Sequence, residues 1–308
     1  MSTGFSDSDI ATLERIGHDS IVNIVALCID AIFYTLYFIL VIIAGHMLLK
    51  RGPFKAALFT LTLMVLMLLM DTAICIIDVS NAIHEITLTI TSNSDISLAD
   101  RYTLTDNFPW AVEDALYAWM SNLGDVIIIS RVYAFYQGEK ERWFMLLPIS
   151  LLFGSLITSV LISFCTAQWS ENASIGHLID TDFCENVQLS SYCTTVATTA
   201  AATAMMSYKL WQYSREIAHD LRSVTSGRTR LQRIMMIFIQ SGVLYLLFFI
   251  EAIITDSSSA IIQAEVATTA KAFACTIWTY MTSHIVGIYP AVVVILAHSQ
   301  RSCFETVS

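Results

Sequence analysis

Charge is what this chain has least of. Only 14% of its 308 residues are Asp, Glu, Lys or Arg, where a soluble domain carries about 25%. Basic residues are the scarcer sign: 16 against 26 acidic, a formal charge of −10. Nucleic-acid binding is driven by Lys and Arg against phosphate, so no nucleic-acid partner is expected. There is no CxxC pair, no GxGxxG and no GxxxxGK stretch, which removes the usual zinc, dinucleotide and nucleotide signatures. No metal and no cofactor is therefore expected. The N-terminal stretch MSTGFSDSDIATLERIGHDS lacks the basic start and short apolar run of a cleaved signal peptide. The first long apolar segment is then expected to serve as the membrane-entry signal and to remain.

What the chain has in excess is apolar surface: 56% hydrophobic residues and a mean hydropathy of +0.64. A lipid bilayer is the expected environment. A span needs about 20 mainly apolar residues to cross a hydrocarbon core of about 30 Å. Seven segments qualify, at 21–49, 54–77, 110–136, 143–165, 189–210, 234–254 and 272–297. The third and fifth are the least apolar. The runs are long and do not alternate, so helices rather than barrel strands are expected. The fold class expected is all-α, a seven-transmembrane helix bundle, with a short outer segment at 1–20 and a short tail at 299–308. No internal repeat is evident, and an odd number of spans does not suggest inverted halves.

Basic residues set the orientation. Lys50, Arg51, Lys55, Lys140, Arg142, Lys209, Arg215, Arg222, Arg228, Arg230, Arg233 and Arg301 fall on one side; Arg15, Arg101 and Lys271 fall on the other. The N-terminus is expected outside and the C-terminus in the cytosol, with the plasma membrane as location. The outer segment CTAQWSENASIGHLIDTDFCENVQ holds no Lys or Arg and carries the sequon Asn172-Ala-Ser, a glycosylation candidate. Cys165, Cys184 and Cys193 gather on the same oxidising side. One pair can form a disulfide, with connectivity not readable from spacing; equally, Cys165 and Cys193 can be small buried residues at helix ends.

A charge at mid-membrane costs at least about 2.5 kcal/mol on insertion scales, so polar residues within spans are expected to face the bundle interior. At 100° per residue, Asp114, Ser121 and Asp125 form a stripe on span three with Asn122 beside it. Asp71 and Asp78 share a face of span two, and Gln240 and Glu251 share one on span six. Thr276, Tyr280, Ser283 and Gly287 form a stripe on span seven with His284 alongside. Asp30 sits in the outer half of span one. These stripes suggest an outer-facing polar cavity for an unknown ligand or ion, with Asp71 and Asp125 as its deeper members. The same residues can instead serve interhelical hydrogen bonding. Arg131, about a turn and a half from the inner end of span three, is expected to snorkel to the cytosolic interface or to act with Tyr133 at a coupling face. Pro148 and Pro290 are expected to kink spans four and seven.

The stretches GDVIIISRVYAFY, YKLWQYSRE, RLQRIMMIFIQSGVLYLLFFIEAI and SHIVGIYPAVVVILAHSQRS resemble a large group of uncharacterised seven-span integral membrane proteins of basidiomycete fungi. The match includes the Gly-Asp of span three followed by Arg-x-Tyr, and Gln240-Ser241-Gly242 with Tyr245 at the start of span six, Gln standing where Glu is common. This resemblance implies a fold and a membrane but no activity. In architecture alone the chain resembles G-protein-coupled receptors. Ser130 precedes the Arg of the span-three motif, Tyr289 and Val293 replace the Asn and Tyr of the span-seven motif, and no Cys marks the outer end of span three.

The leading expectation is a receptor or sensor, with a cytosolic partner or anionic lipid meeting the basic linker that bears Arg222, Arg228, Arg230 and Arg233. The alternative is an ion channel or transporter working through the intramembrane carboxylates. A third reading is an intramembrane lipid hydrolase: Ser80 to His84 resembles the Ser-x-x-x-His of seven-span zinc hydrolases. The second His pair of that family is missing, and His284 stands alone. An opsin is not expected, because Lys271 lies at the outer end of span seven.

Overall fold

The computed structural model describes residues 7–51, 54–91, 110–136, 140–172, 181–219, 235–237, 239–251, 253 and 269–305. Among these, seven α-helices follow one another: α1 (Asp7–Arg51), α2 (Phe54–Ile86), α3 (Trp110–Tyr136), α4 (Leu146–Asn172), α5 (Thr181–His219), α6 (Met235–Glu251) and α7 (Thr269–Glu305). A π turn at Thr87–Thr91 prolongs α2, and a 3-10 turn at Lys140–Met145 leads into α4. Stretches of α1, α2, α4 and α7 are long and apolar enough to cross a bilayer: Thr12–Lys50, Lys55–Thr89, Trp143–Ala167 and Thr276–Leu296. The chain is thus a multi-pass integral membrane protein. Helices α3 and α5 have the length but carry more polar residues, and α6 is apolar but shorter.

The distribution of side chains agrees with a lipid surround. Ile32, Leu69, Ile76, Phe153 and Leu244 are each more than 60% exposed, while Asp71, Asp125, Ser159, Thr198 and His284 are fully buried. Hydrocarbon solvates apolar side chains as well as a core does, whereas polar groups must find partners inside the bundle.

Helix α1 shows how the packing arises. Its buried residues Ala26, Asp30, Tyr37, Val41, Ala44 and Leu48 recur at spacings of 4, 7, 4, 3 and 4, a seven-residue rhythm that keeps one stripe facing its neighbours. That stripe packs on α7 and α2. Close approach to α7 requires Gly287: a Cβ there would stand 2.5 Å from the Tyr37 ring. Helix α3 is central and touches α2, α4, α5 and α7. Helix α6 fits between α5 and α7, with Gly242 against Thr203 and the Tyr245 ring stacked on Tyr289 at 4.3 Å.

Several boundaries differ from expectation. Helix α1 begins at Asp7 and takes in most of the outer segment, and α7 runs through the expected tail to Glu305. Hydropathy marks only the lipid-facing part of a helix, and no proline stops either one. Pro148 lies in the first turn of α4, where its missing N–H is not needed, so it starts the helix instead of kinking it. Pro290 lies inside α7. The cysteine question resolves to one pair, Cys165 of α4 with Cys184 of α5, and Cys193 is a free, exposed thiol.

Candidate functional site

The densest polar contact in the bundle joins α1, α2 and α7. His284 approaches Asp71 Oδ2 through Nδ1 at 2.9 Å and Asp30 Oδ1 through Nε2 at 2.6 Å. All three side chains are withdrawn from the surface. Two ionised carboxylates can both accept from the ring only when both nitrogens carry a proton, as the imidazolium. Cys75, one turn after Asp71, places its Sγ 4.0 Å from Asp30 Oδ1. Tyr34 turns its ring edge to His284 and bonds Thr72 with its hydroxyl at 3.0 Å. Asp71 Oδ1 and the hydroxyl of nearby Tyr37 are buried without a hydrogen-bond partner among the described residues.

Polar groups continue from this cluster toward the C-terminal end of α2. Asp78, two turns after Asp71, is buried beside Glu113 of α3, and Asn81 Nδ2 donates to Glu113 Oε1 at 3.0 Å. Asn23 Nδ2 donates to Glu85 Oε2 at 2.9 Å between α1 and α2. Tyr280 is half-buried and Ser283 buried on the adjoining turns of α7.

On α3 the expected stripe divides among three neighbours. Asp114 is half-buried near the N-terminal end of α3. Ser121 meets Thr195 of α5 at 3.3 Å. Asn122 turns to α4, donating to Ser159 Oγ at 2.7 Å and accepting from Ser155 Oγ at 2.5 Å. Interhelical bonds of this kind contribute about 0.6 kcal/mol each. Asn122→Ala is expected to lower stability by roughly 1 kcal/mol, read as a modest fall in Tm of the purified protein. Asp125 lies apart, fully buried beside Thr199 and the hydroxyls of Tyr117 and Tyr245. Thr199 stands nearest its carboxylate, but no short, well-aligned hydrogen bond closes between the carboxylate and any of the three hydroxyls among the described residues. Asp71 and Asp125 thus occupy different surroundings.

Arg131 is half-buried and lines a small cavity between α3, α5 and α7, with Thr203, Met206, Tyr289 and Pro290. Tyr289 stands beside Arg131 and stacks on Tyr245, which stands beside Asp125. The Asp and Arg of α3 are therefore linked through two stacked rings on α6 and α7. Tyr133 is exposed and does not share this cavity.

Other expected residues fall elsewhere. Gln240 and Glu251 do share a face, but it is the exposed one, away from the cluster. Ser80 and His84 are exposed and do not converge on His284. Asn172 is the last residue of α4. Arg222, Arg228, Arg230 and Arg233 lie outside the described residues. Three residues were not foreseen. Asp30 was noted only for its depth, and Cys75 carried no signal beyond its i,i+4 spacing from Asp71. Lys209, counted as an inner flanking charge, is buried with its Nζ 4.7 Å from the Tyr136 ring centre and 3.1 Å from Gln212 Oε1. Comparisons with protein-family models, with curated proteins and with solved structures find no match to this chain.

Proposed function

We propose that this chain is a seven-helix receptor or sensor, with its N-terminus outside, its C-terminus in the cytosol and the plasma membrane as its location. The observation that carries this reading is the double engagement of α7. His284 holds α7 to α1 and α2 through two carboxylates, and Tyr289, five residues on, holds it to Tyr245 of α6 beside Arg131. A ligand that disturbs the first contact shifts the second, because both belong to one helix. The Cys165–Cys184 disulfide supports the orientation, since such bonds persist on the oxidising side. In this orientation the basic sequence SREIAHDLRSVTSGRTRLQR between the fifth and sixth expected spans is assigned to the cytosolic side, where an acidic partner or anionic lipid can meet it.

A second reading, a proton or cation transporter, is favoured by the run of carboxylates from Asp71 and Asp30 through Asp78 to Glu113. Proteoliposomes distinguish the two. Under the receptor reading, vesicles carrying the wild-type protein conduct no protons or small cations above the protein-free background. Asp125→Asn is expected to leave Tm unchanged or raised, because a buried carboxylate with no close, well-aligned hydrogen bond opposes folding. A flux in the wild type that disappears in folded D125N overturns the receptor reading and places Asp125 on a transport path.

A further inference from the structure

The buried cluster of α1, α2 and α7 has the chemistry of a metal site. Asp30, Cys75 and His284 each offer one ligand atom, and these atoms lie within 4.8 Å of one another. A carboxylate oxygen, a thiol sulfur and an imidazole nitrogen are together the donor set of a borderline-soft divalent ion. Asp71 is placed as the supporting group such sites use. It takes Nδ1 of His284 at 2.9 Å, which leaves Nε2, the nitrogen facing Asp30, as the ligating atom. Metal-bound histidines commonly donate their other ring N–H to a carboxylate in this way, which fixes the tautomer and the ring plane. A second, independent observation is the unspent polar capacity at the same place: Asp71 Oδ1 is fully buried and accepts no hydrogen bond among the described residues.

We propose that Asp30 Oδ1, Cys75 Sγ and His284 Nε2 bind a zinc-class divalent metal ion within the membrane, with Asp71 orienting the histidine. Three protein ligands leave a fourth tetrahedral position for water or a ligand atom. The charge balances. Entry of M²⁺ displaces the proton held between His284 Nε2 and Asp30 Oδ1 and the thiol proton of Cys75; both protons leave to water, and no electron is transferred. The site thus exchanges two protons for one divalent ion at constant net charge, which matters where an excess charge has no solvent to stabilise it. The 2.6 Å contact between Nε2 and Asp30 is the hydrogen bond that the ion replaces. The ligands come from three helices far apart in sequence, so no sequence motif announces them. The assignment is independent of whether the chain signals or transports.

Cobalt(II) titration of the chelator-treated full chain in nanodiscs is the test, because cobalt reports thiolate ligation by a near-ultraviolet charge-transfer band. One equivalent of cobalt is expected to give that band in the wild type, with zinc displacing it. Cys75→Ser, a mild change, is expected to abolish the band while keeping the wild-type melting profile. Asp71→Asn is expected to keep the band and weaken affinity about 10–100-fold. No stoichiometric cobalt in the wild type overturns the proposal. So does a band that persists in C75S, which would assign binding to another thiol such as Cys28 or Cys193, both exposed.

Discussion

Replacing His284 with alanine lowers stability by about 3–5 kcal/mol, the expected result of stripping the central partner from a buried ionic cluster. The imidazole stands between Asp30 and Asp71 at 2.6 and 2.9 Å, with its side chain wholly withdrawn from the surface. Without it, two carboxylates face one another inside the bundle without a counter-charge. The loss does not imply that the intact cluster stabilises by the same amount. Most of it is the penalty of the charges left behind, so replacing Asp30, Asp71 and His284 together with apolar residues of similar size is expected to recover most of the stability. Thermal unfolding in nanodiscs reads both variants. A fall in H284A equivalent to under about 1 kcal/mol would mean that the three groups do not act as a buried charged unit.

Breaking the Cys165–Cys184 bond is expected to be the second-largest change, at about 3 kcal/mol. The bond ties α4 to α5 across a separation of 19 residues, and chain-entropy arguments assign that amount to a loop of this size. Cys165→Ser and Cys184→Ser should each give this loss, and the double variant no more than either single. Cys193→Ser should be silent, since Cys193 is exposed and takes no part. Peptide mapping without reduction checks the pairing directly: a linked Cys184–Cys193 fragment would contradict it.

The parts of this molecule that hydropathy and helical spacing govern were legible in the sequence. Residues expected to form the third span do lie in one helix, Trp110–Tyr136, as a long apolar run with polar residues at helical spacing implies. Four of the seven expected spans, in α1, α2, α4 and α7, are long and apolar enough to cross a bilayer. Contacts between helices were not legible. Spacing places Asp71 and Asp78 on one face of α2 but does not say that Asp30 and His284 come to that face. The shared face of Gln240 and Glu251 was correct as geometry, yet it turns outward, because spacing does not distinguish lipid from core. Asp114, Ser121, Asn122 and Asp125 lie along one central helix, but four neighbours surround it, so its polar residues serve several partners and not one cavity. Asp125 is enclosed among hydroxyls, and Arg131 lines an internal cavity beside Tyr289. Neither arrangement follows from α3 alone, since Tyr245 and Tyr289 belong to other helices.

The central claim is that α7 transmits a change at His284 to the C-terminal end of α3 and the N-terminal end of α6. Those ends pack together through Val132, Tyr136 and Met235, and exposed positions beside them, Tyr133 and Met236, accept spin labels as cysteine variants once the accessible native thiols are replaced by serine. Double electron–electron resonance between these two labels in nanodiscs, with Asp71 intact and with Asp71→Asn, is the most direct measurement. Loosening the His284 contact is expected to shift the label-to-label distance by on the order of 1–2 Å, the scale of helix shifts in signalling bundles, while the variant stays folded. Superimposable distance distributions in a folded D71N protein would contradict the claim and leave the buried cluster a fastening of α1, α2 and α7 without influence on that end of the bundle.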